Sequence, residues 1–332
     1  MFKTPAKAVA LALALFATVG FVRGASRKED KTDIFAEIPE KQNFLLLGKD
    51  NASGLYDVIM LASVDTEQKR AVVFQIPRDT YVSLGEKSYK KINGAAAILG
   101  TEGKLCDLLE GALGIEVNGY VAFDTRFVKE TVDGIGGVEL NVPFDMDYED
   151  PYQNLSIHLK KGKQVLGGEE AVGFVRYRNG YLRADVGRLD AQKIFLAALS
   201  KKLLETHDAR LLLELAKNTL KYVKTDLPIT ALTSAGMALK GALGENIELV
   251  TMPGEEVQSS VSGAWFYILS REGCGNLLSA YGADGIFDPD EIFTDGSREE
   301  FDEIYRRNIE SKVYNAATID GEGINIITKK RN

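Results

Sequence analysis

Three apolar runs near the start of the chain constrain its fold most. They are Asn43–Gly48 (NFLLLG), Asp57–Val64 (DVIMLASV) and Arg70–Ile76 (RAVVFQI). Each reads as a short buried strand rather than a helix. The second and third are separated only by Asp65-Thr66-Glu67-Gln68-Lys69, a polar stretch that predicts a hairpin. Short connections favour neighbouring strands that alternate in direction. With strands running up, down and up, Asp50, Asp57 and Arg78 meet at one rim of the sheet.

That rim collects residues with a common chemistry. Arg78 lies in Ile76-Pro77-Arg78-Asp79. A second group is Arg176-Tyr177-Arg178, followed by Asp185-Val186-Gly187-Arg188 and Gln192. Arginine forks bind phosphate oxygens in pairs of hydrogen bonds. Carboxylates without a nearby base often hold a hard cation such as Mg²⁺. Together they point to a site for a metal-bound phosphate or pyrophosphate. Plainer roles stand beside this one: Asp57 as a strand-start cap, Arg176 in a surface ion pair, and Asp79 holding Arg78. The chain has two histidines, His158 and His207, so chemistry resting on a histidine base has few candidates.

The rest of the chain alternates helices and strands. Asn93–Leu113 predicts one or two helices, interrupted at Gly100 and Gly103. Tyr120–Phe123 and Val138–Val142 read as strands, and Thr125–Val132 as a helix. Gly168–Tyr177 fits both periodicities. In a strand Arg176 and Arg178 share a face; in a helix they do not, unless the helix ends between them. We favour a helix that ends there, with Arg178 entering a loop. Arg188–Glu205 carries the clearest apolar stripe, through Leu189, Ile194, Phe195, Ala198, Leu199 and Leu203. Arg188 and Gln192, four apart, share a face of it. Asp185 is the expected N-cap, which sets the arginine-rich loop at a helix N-terminus whose free N–H groups also favour anions. Helices are expected over Ala209–Val223, Pro228–Leu243 and Arg298–Glu310, and strands over Ile247–Met252 and Phe266–Leu269.

Composition narrows the class. With 332 residues, 45% of them apolar, the chain can bury a sizeable core. A net charge of −8 argues against non-specific nucleic-acid binding, which needs a basic footprint. Cys106 and Cys274 lack zinc-site spacing and read as two buried thiols, a disulfide being the less favoured alternative. Ala8–Val22 is apolar, flanked by Lys3 and Lys7 before it and Arg23, Arg27 and Lys28 after. A membrane anchor, a cleaved signal and a buried core helix all compete for it. We favour the uncleaved anchor, because no clean small-residue cleavage site follows. The expected organisation is an anchor or signal over 1–23, a charged stalk over 24–41, a catalytic domain over 42–283 and an acidic extension over 284–332.

In order and spacing, NFLLLGKD (43–50), DVIMLASVD (57–65), IPRDTYV (76–82), KIN (91–93), VDGIGGVELNVP (132–143), VRYR (175–178), DVGRLDAQ (185–192) and TMPGE (251–255) resemble the LytR–CpsA–Psr family of bacterial cell-wall ligases. The likeness runs from about Asn43 to about Gly282. It implies an α/β fold of the α+β kind: a mixed, partly antiparallel central sheet flanked by helices, in one extracellular domain with an N-terminal membrane anchor. It implies a groove for a polyprenyl chain. It also implies transfer of a glycopolymer from a polyprenyl-pyrophosphate carrier to peptidoglycan, forming a phosphodiester. By position, Asp50 and Asp57 match the residues that hold Mg²⁺, or Mn²⁺ in its place. Arg78, Arg176, Arg178, Arg188 and Gln192 match the pyrophosphate site, and Asp79 matches a carboxylate beside it. The sequence departs from the pattern at Gln75, often serine, at Ala191, often arginine, and after KIN, where an aromatic residue and a Gly-Gly pair are usual.

The resemblance implies in-line phosphoryl transfer to a sugar hydroxyl. Arg78 and Arg188 would neutralise charge as polyprenyl phosphate leaves, and Asp79 would act as base or orienter. Two other readings stay open: a pyrophosphatase that uses water in place of the sugar, and a non-catalytic binder of polyprenyl lipid or glycan with a regulatory role. Teichoic acid, capsule and other secondary wall polymers all fit as the transferred chain.

Overall fold

The computed structural model describes residues 41–315 and 319, apart from 51–52, 86–89, 154, 182–183, 206–208, 229–230, 232–245 and 283–286. In chain order the elements begin with β1 (Lys41–Lys49), β2 (Tyr56–Asp65), β3 (Arg70–Gln75), a 3₁₀ turn at Ile92–Gly94, α1 (Ala95–Leu99) and α2 (Glu102–Leu113). They continue through β4 (Gly119–Asp124), α3 (Thr125–Gly134), β5 (Val138–Val142), β6 (Met146–Asp150), β7 (Leu155–Leu159), β8 (Gly162–Leu166) and α4 (Gly168–Arg176). Next come α5 (Ala184–Glu205), α6 (Ala209–Tyr222), β9 (Lys224–Thr225), β10 (Ile247–Thr251), β11 (Gly254–Gln258) and β12 (Trp265–Leu269). The last are α7 (Arg271–Ala280), α8 (Arg298–Arg306) and β13 (Val313–Asn315).

A seven-stranded sheet in the order β13-β10-β3-β2-β1-β4-β9 forms the centre. β1, β2 and β3 are successively antiparallel, as their short connections require, while β4 and β10 lie parallel to their inner neighbours β1 and β3. The sheet is therefore mixed, as expected. Lys49 pairs with Tyr56, and Met60 with Gln75, so the end of β1, the start of β2 and the end of β3 share one rim.

Both faces of the sheet are buried, which is why these strands are continuously apolar rather than alternating. Phe44, Leu46, Met60 and Ala62 pack on one side with Phe127, Phe174, Ile194 and Phe195 from α3, α4 and α5. Leu45, Leu47, Ile59 and Leu61 pack on the other with Leu105 and Leu109 from α2, Cys274 from α7, and Phe301 and Tyr305 from α8. Cys106 and Cys274 are both free and buried.

Several expectations change. The expected boundary at 283/284 does not divide the fold. Phe287, Phe293, Phe301 and Tyr305 are buried in the second core, and β13 is an edge strand of the central sheet. On α8 the acidic Glu299 and Glu303 are exposed, while Phe301 and Tyr305, four apart, face inward. α8 stops at Arg306 rather than Glu310. Gly100, at φ 101°, ends α1, whereas Gly103 is accommodated inside α2. α5 begins at Ala184, so Asp185 lies inside the helix and is not its N-cap. Outside the central sheet β5 and β12 match expected strands, whereas their partners β8 and β11, and the β6–β7 hairpin, carry too weak a pattern to be predicted. The expected anchor, most of the stalk and almost all of the Pro228–Leu243 helix lie outside the described residues. Among those described, no helix is long and apolar enough to cross a membrane.

If the segment after 283 is integral to the core, Phe301→Ala should destabilise the whole domain by about 3–5 kcal/mol. A fall in the denaturant midpoint, without a separate early transition, is the expected result. An unchanged midpoint would show that the segment is dispensable.

Candidate anion site at the sheet rim

The site is assembled from five segments that meet at one edge of the sheet. Asp57 opens β2, and its carboxylate takes three guanidiniums. Arg78 Nη1 donates to its Oδ1 at 2.7 Å, Arg188 Nη1 to its Oδ2 at 3.3 Å, and Arg178 Nη2 lies 3.7 Å from Oδ2. Asp50, just past β1, is buried. Its Oδ1 lies 3.3 Å from Arg176 Nη2, and its Oδ2 accepts the Ser53 N–H at 3.1 Å. The structure thus brings together every arginine and both aspartates expected at the site.

Local structure explains each placement. α4 ends at Arg176, and Tyr177 is extended at φ −63°, ψ 137°, as the favoured reading of this stretch requires. Tyr177 is buried, and with Tyr181 it packs around Phe144, the Phe144–Tyr181 rings meeting edge-on at 5.1 Å. An extended residue that points inward turns its neighbours outward, so Arg176 and Arg178 reach the rim on either side of Tyr177. Gly187 lets the first turns of α5 approach Tyr181: a Cβ there would lie 2.3 Å from the ring. This close approach places Arg188, which is only 1% exposed. A guanidinium so deeply buried needs an opposite charge, and Asp57 supplies one.

The electrostatics follow from this crowding. Burial alone would push the Asp57 carboxyl upward, but Arg188, Arg78 and Arg178 outweigh it and hold it below the ordinary carboxylate range. Among the described residues, the guanidiniums of Arg78, Arg176, Arg178 and Arg188 converge on Asp50 and Asp57, a cluster of positive charge that suits an anionic ligand. Asp79 stands at the flank. Its Oδ1 accepts Lys91 at 2.8 Å, and its Oδ2 lies 3.8 Å from Arg78 Nε. Asp79 thus pairs with Lys91 and lies within ion-pair reach of Arg78.

Lys91 was missed, although it opens the KIN segment. Gln75, noted only as a departure, is central instead: its Nε2 donates to Gln192 Oε1 at 2.9 Å. Lys193, buried beside Asp190 and Thr251, was also missed, because a lysine within an amphipathic helix reads as solvent-facing. Burial pushes its ammonium below the ordinary lysine range, and Asp190 opposes that.

Because its folded-state pKa is depressed, Asp57 stabilises the fold fully above the unfolded carboxylate value of about 3.9. That stabilisation is lost as the pH falls through the lower folded value. The stability difference between wild type and Asp57→Asn should therefore be level near neutrality and shrink with acid below about pH 4. Urea unfolding at stepped pH measures it, and a difference independent of pH would contradict the ion-pair geometry.

Known proteins place this arrangement in a family. The LytR_cpsA_psr family profile matches residues 16–280. The polyisoprenyl-teichoic acid–peptidoglycan teichoic acid transferase TagV of Bacillus subtilis is 28% identical over 218 residues, which cover 64% of this chain and 56% of TagV. The chain thus spans little more than half of that relative. TagU of Bacillus cereus, a transferase of the same description, is 29% identical, covering 73% of this chain and 79% of its own. The regulatory protein MsrR of Staphylococcus aureus is 29% identical, covering 68% and 69%. In structure, B. subtilis TagV superposes with a TM-score of 0.62 at 24% identity, over 74% of this chain and 98% of that one. TagT bound to LI-WTA does so with a TM-score of 0.59 at 21% identity, over 78% and 94%. These superpositions establish the same α/β fold, and the profile match, which takes in both arginine segments and both aspartates, establishes that the chain belongs to the LytR_cpsA_psr family.

Proposed function

We propose that this protein transfers a glycopolymer from a polyprenyl-pyrophosphate carrier to peptidoglycan. The observation that carries the reading is the convergence of Arg78, Arg176, Arg178 and Arg188 on Asp50 and Asp57 at one rim. Relatives named as teichoic acid transferases support it, as does a fold shared with TagT bound to LI-WTA.

In the proposed reaction a peptidoglycan sugar hydroxyl attacks the phosphorus that bears the glycopolymer. A new P–O bond forms, the bridging P–O bond breaks, and polyprenyl phosphate departs with the electron pair. The hydroxyl proton passes to the departing phosphate. Arg78 and Arg188 stabilise charge on the transferring and leaving oxygens. Arg176 and Arg178 bind further pyrophosphate oxygens, and Gln192, one turn after Arg188, lies on the same face of α5. Asp79, tied to Lys91, orients Arg78.

The residues present fit a hard divalent cation. Magnesium is commonly bound by one or two carboxylates together with substrate phosphates, and Asp57 is kept ionised by its neighbours. Asp50 and Asp57 would hold Mg²⁺ or Mn²⁺, which when bound offsets charge on the phosphate oxygens. We further infer that the 8–22 segment anchors the domain at the outer face of the cell membrane.

Arg188→Ala should lower transfer about 10²–10³-fold, with Arg78→Ala and Asp57→Ala similarly impaired. The assay uses the full chain, a lipid-linked polymer and peptidoglycan, with circular dichroism to verify folding. Full rates in all three folded variants would sink the proposal. Chelation should abolish transfer and added Mg²⁺ restore it; turnover unaffected by chelator would remove the metal from the scheme. The regulatory relative MsrR makes a non-catalytic reading worth testing. Binding without turnover supports that reading, and phosphate release without acceptor supports hydrolysis.

A further inference from the structure

A line of buried polar groups runs behind the arginine site. Lys193 is 3% exposed. Its ammonium lies 3.0 Å from Asp190 Oδ1 and donates to Thr251 Oγ1 at 2.8 Å. The Thr251 hydroxyl donates to Gln75 Oε1 at 3.4 Å. Gln75 Nε2 donates to Gln192 Oε1 at 2.9 Å and to the Leu189 carbonyl at 3.4 Å. Gln75 and Gln192 are themselves buried.

The two ends of this line have a fixed sense. An ammonium only donates, and a backbone carbonyl only accepts. Thr251, having accepted from Lys193, turns its own O–H to Gln75. The Gln75 amide must then point its oxygen at Thr251 and its nitrogen at Leu189 and Gln192. Gln192 is left to receive with Oε1, which keeps both N–H groups of Nε2 for another acceptor. Among the described residues no acceptor takes them. Gln192 follows Arg188 by four residues on α5 and so shares its face, the one that reaches Asp57. Reversed, the same amide would present an oxygen to an anion and repel it.

We propose that Lys193 is a positioning residue for the anion site: acting through Thr251 and Gln75, it holds the Gln192 amide with its N–H groups toward the bound phosphate. This rests on the reading of the rim as a pyrophosphate site. The Tyr314 ring, 5.3 Å from Lys193 Nζ, brings β13 up to the start of the line. The segment that looked like an appendage thus packs against a residue serving the site.

The test measures calorimetric binding of farnesyl pyrophosphate to the full chain in detergent. Gln192→Leu should weaken binding about 10- to 100-fold, the loss of a hydrogen bond to a charged group. Thr251→Val should weaken it about 3- to 10-fold, while Thr251→Ser, which keeps the hydroxyl, binds as wild type. Lys193→Met should weaken binding alone and add nothing in the Gln192→Leu background. Should Lys193→Met not fold, the two Thr251 variants decide. Equal affinities for Thr251→Val and Thr251→Ser overturn the relay, and so does a Lys193→Met effect that persists without Gln192. If Arg78→Ala loses the probe but the relay variants do not, the relay alone falls. If wild type and Arg78→Ala bind equally, the pyrophosphate reading falls with it.

Discussion

The carboxylate of Asp57 is the joint on which the site depends. It opens β2, yet it holds a guanidinium from the segment after β3, one from the loop after α4 and one from within α5. Without it, the guanidiniums of Arg78, Arg178 and Arg188 would face one another with far less opposing charge between them. Like charges at such separations repel unless an anion intervenes. Asp57 therefore does before substrate binds what a phosphate does afterwards: it keeps the arginines converged.

That convergence is affordable because the scaffold behind it is rigid. The sheet is covered on both faces, so the strands carrying Asp50, Asp57 and Arg78 have no freedom to slip in register. The Phe144–Tyr177–Tyr181 cluster fixes the loop that carries Arg176 and Arg178. Preorganised donors act on charge as it develops in the transition state, with little reorganisation at the moment of reaction. The β13 edge and the aromatic residues of 287–305 complete the same body.

Much of this was legible in the chain. Short apolar runs with a polar turn between them allow little except a meander, and a meander sends Asp50, Asp57 and Arg78 to one rim. The four-residue spacing of Arg188 and Gln192 placed them on one helix face. Other features were hidden for definite reasons. Asp185 looked like a cap because helix starts are set by the residues around them, and α5 begins one residue earlier. Acidic residues after 284 outnumbered the aromatics that bury, so composition concealed a core element. β6, β7, β8 and β11, outside the main sheet, are half exposed, and their alternation is too short to stand out.

Residue order by itself determined the strands, the rim and the set of charged groups, because periodicity and short connections act locally. Tertiary packing alone decided how those groups pair. Whether Asp79 meets a substrate hydroxyl or Lys91, and whether Lys193 faces water or Thr251, depends on which distant segments share the space. The direction in which Gln192 donates is likewise absent from any one stretch of sequence. It follows from an obligate donor on α5 and an obligate acceptor one turn before it, joined through β10 and β3 only when the sheet and helix are packed.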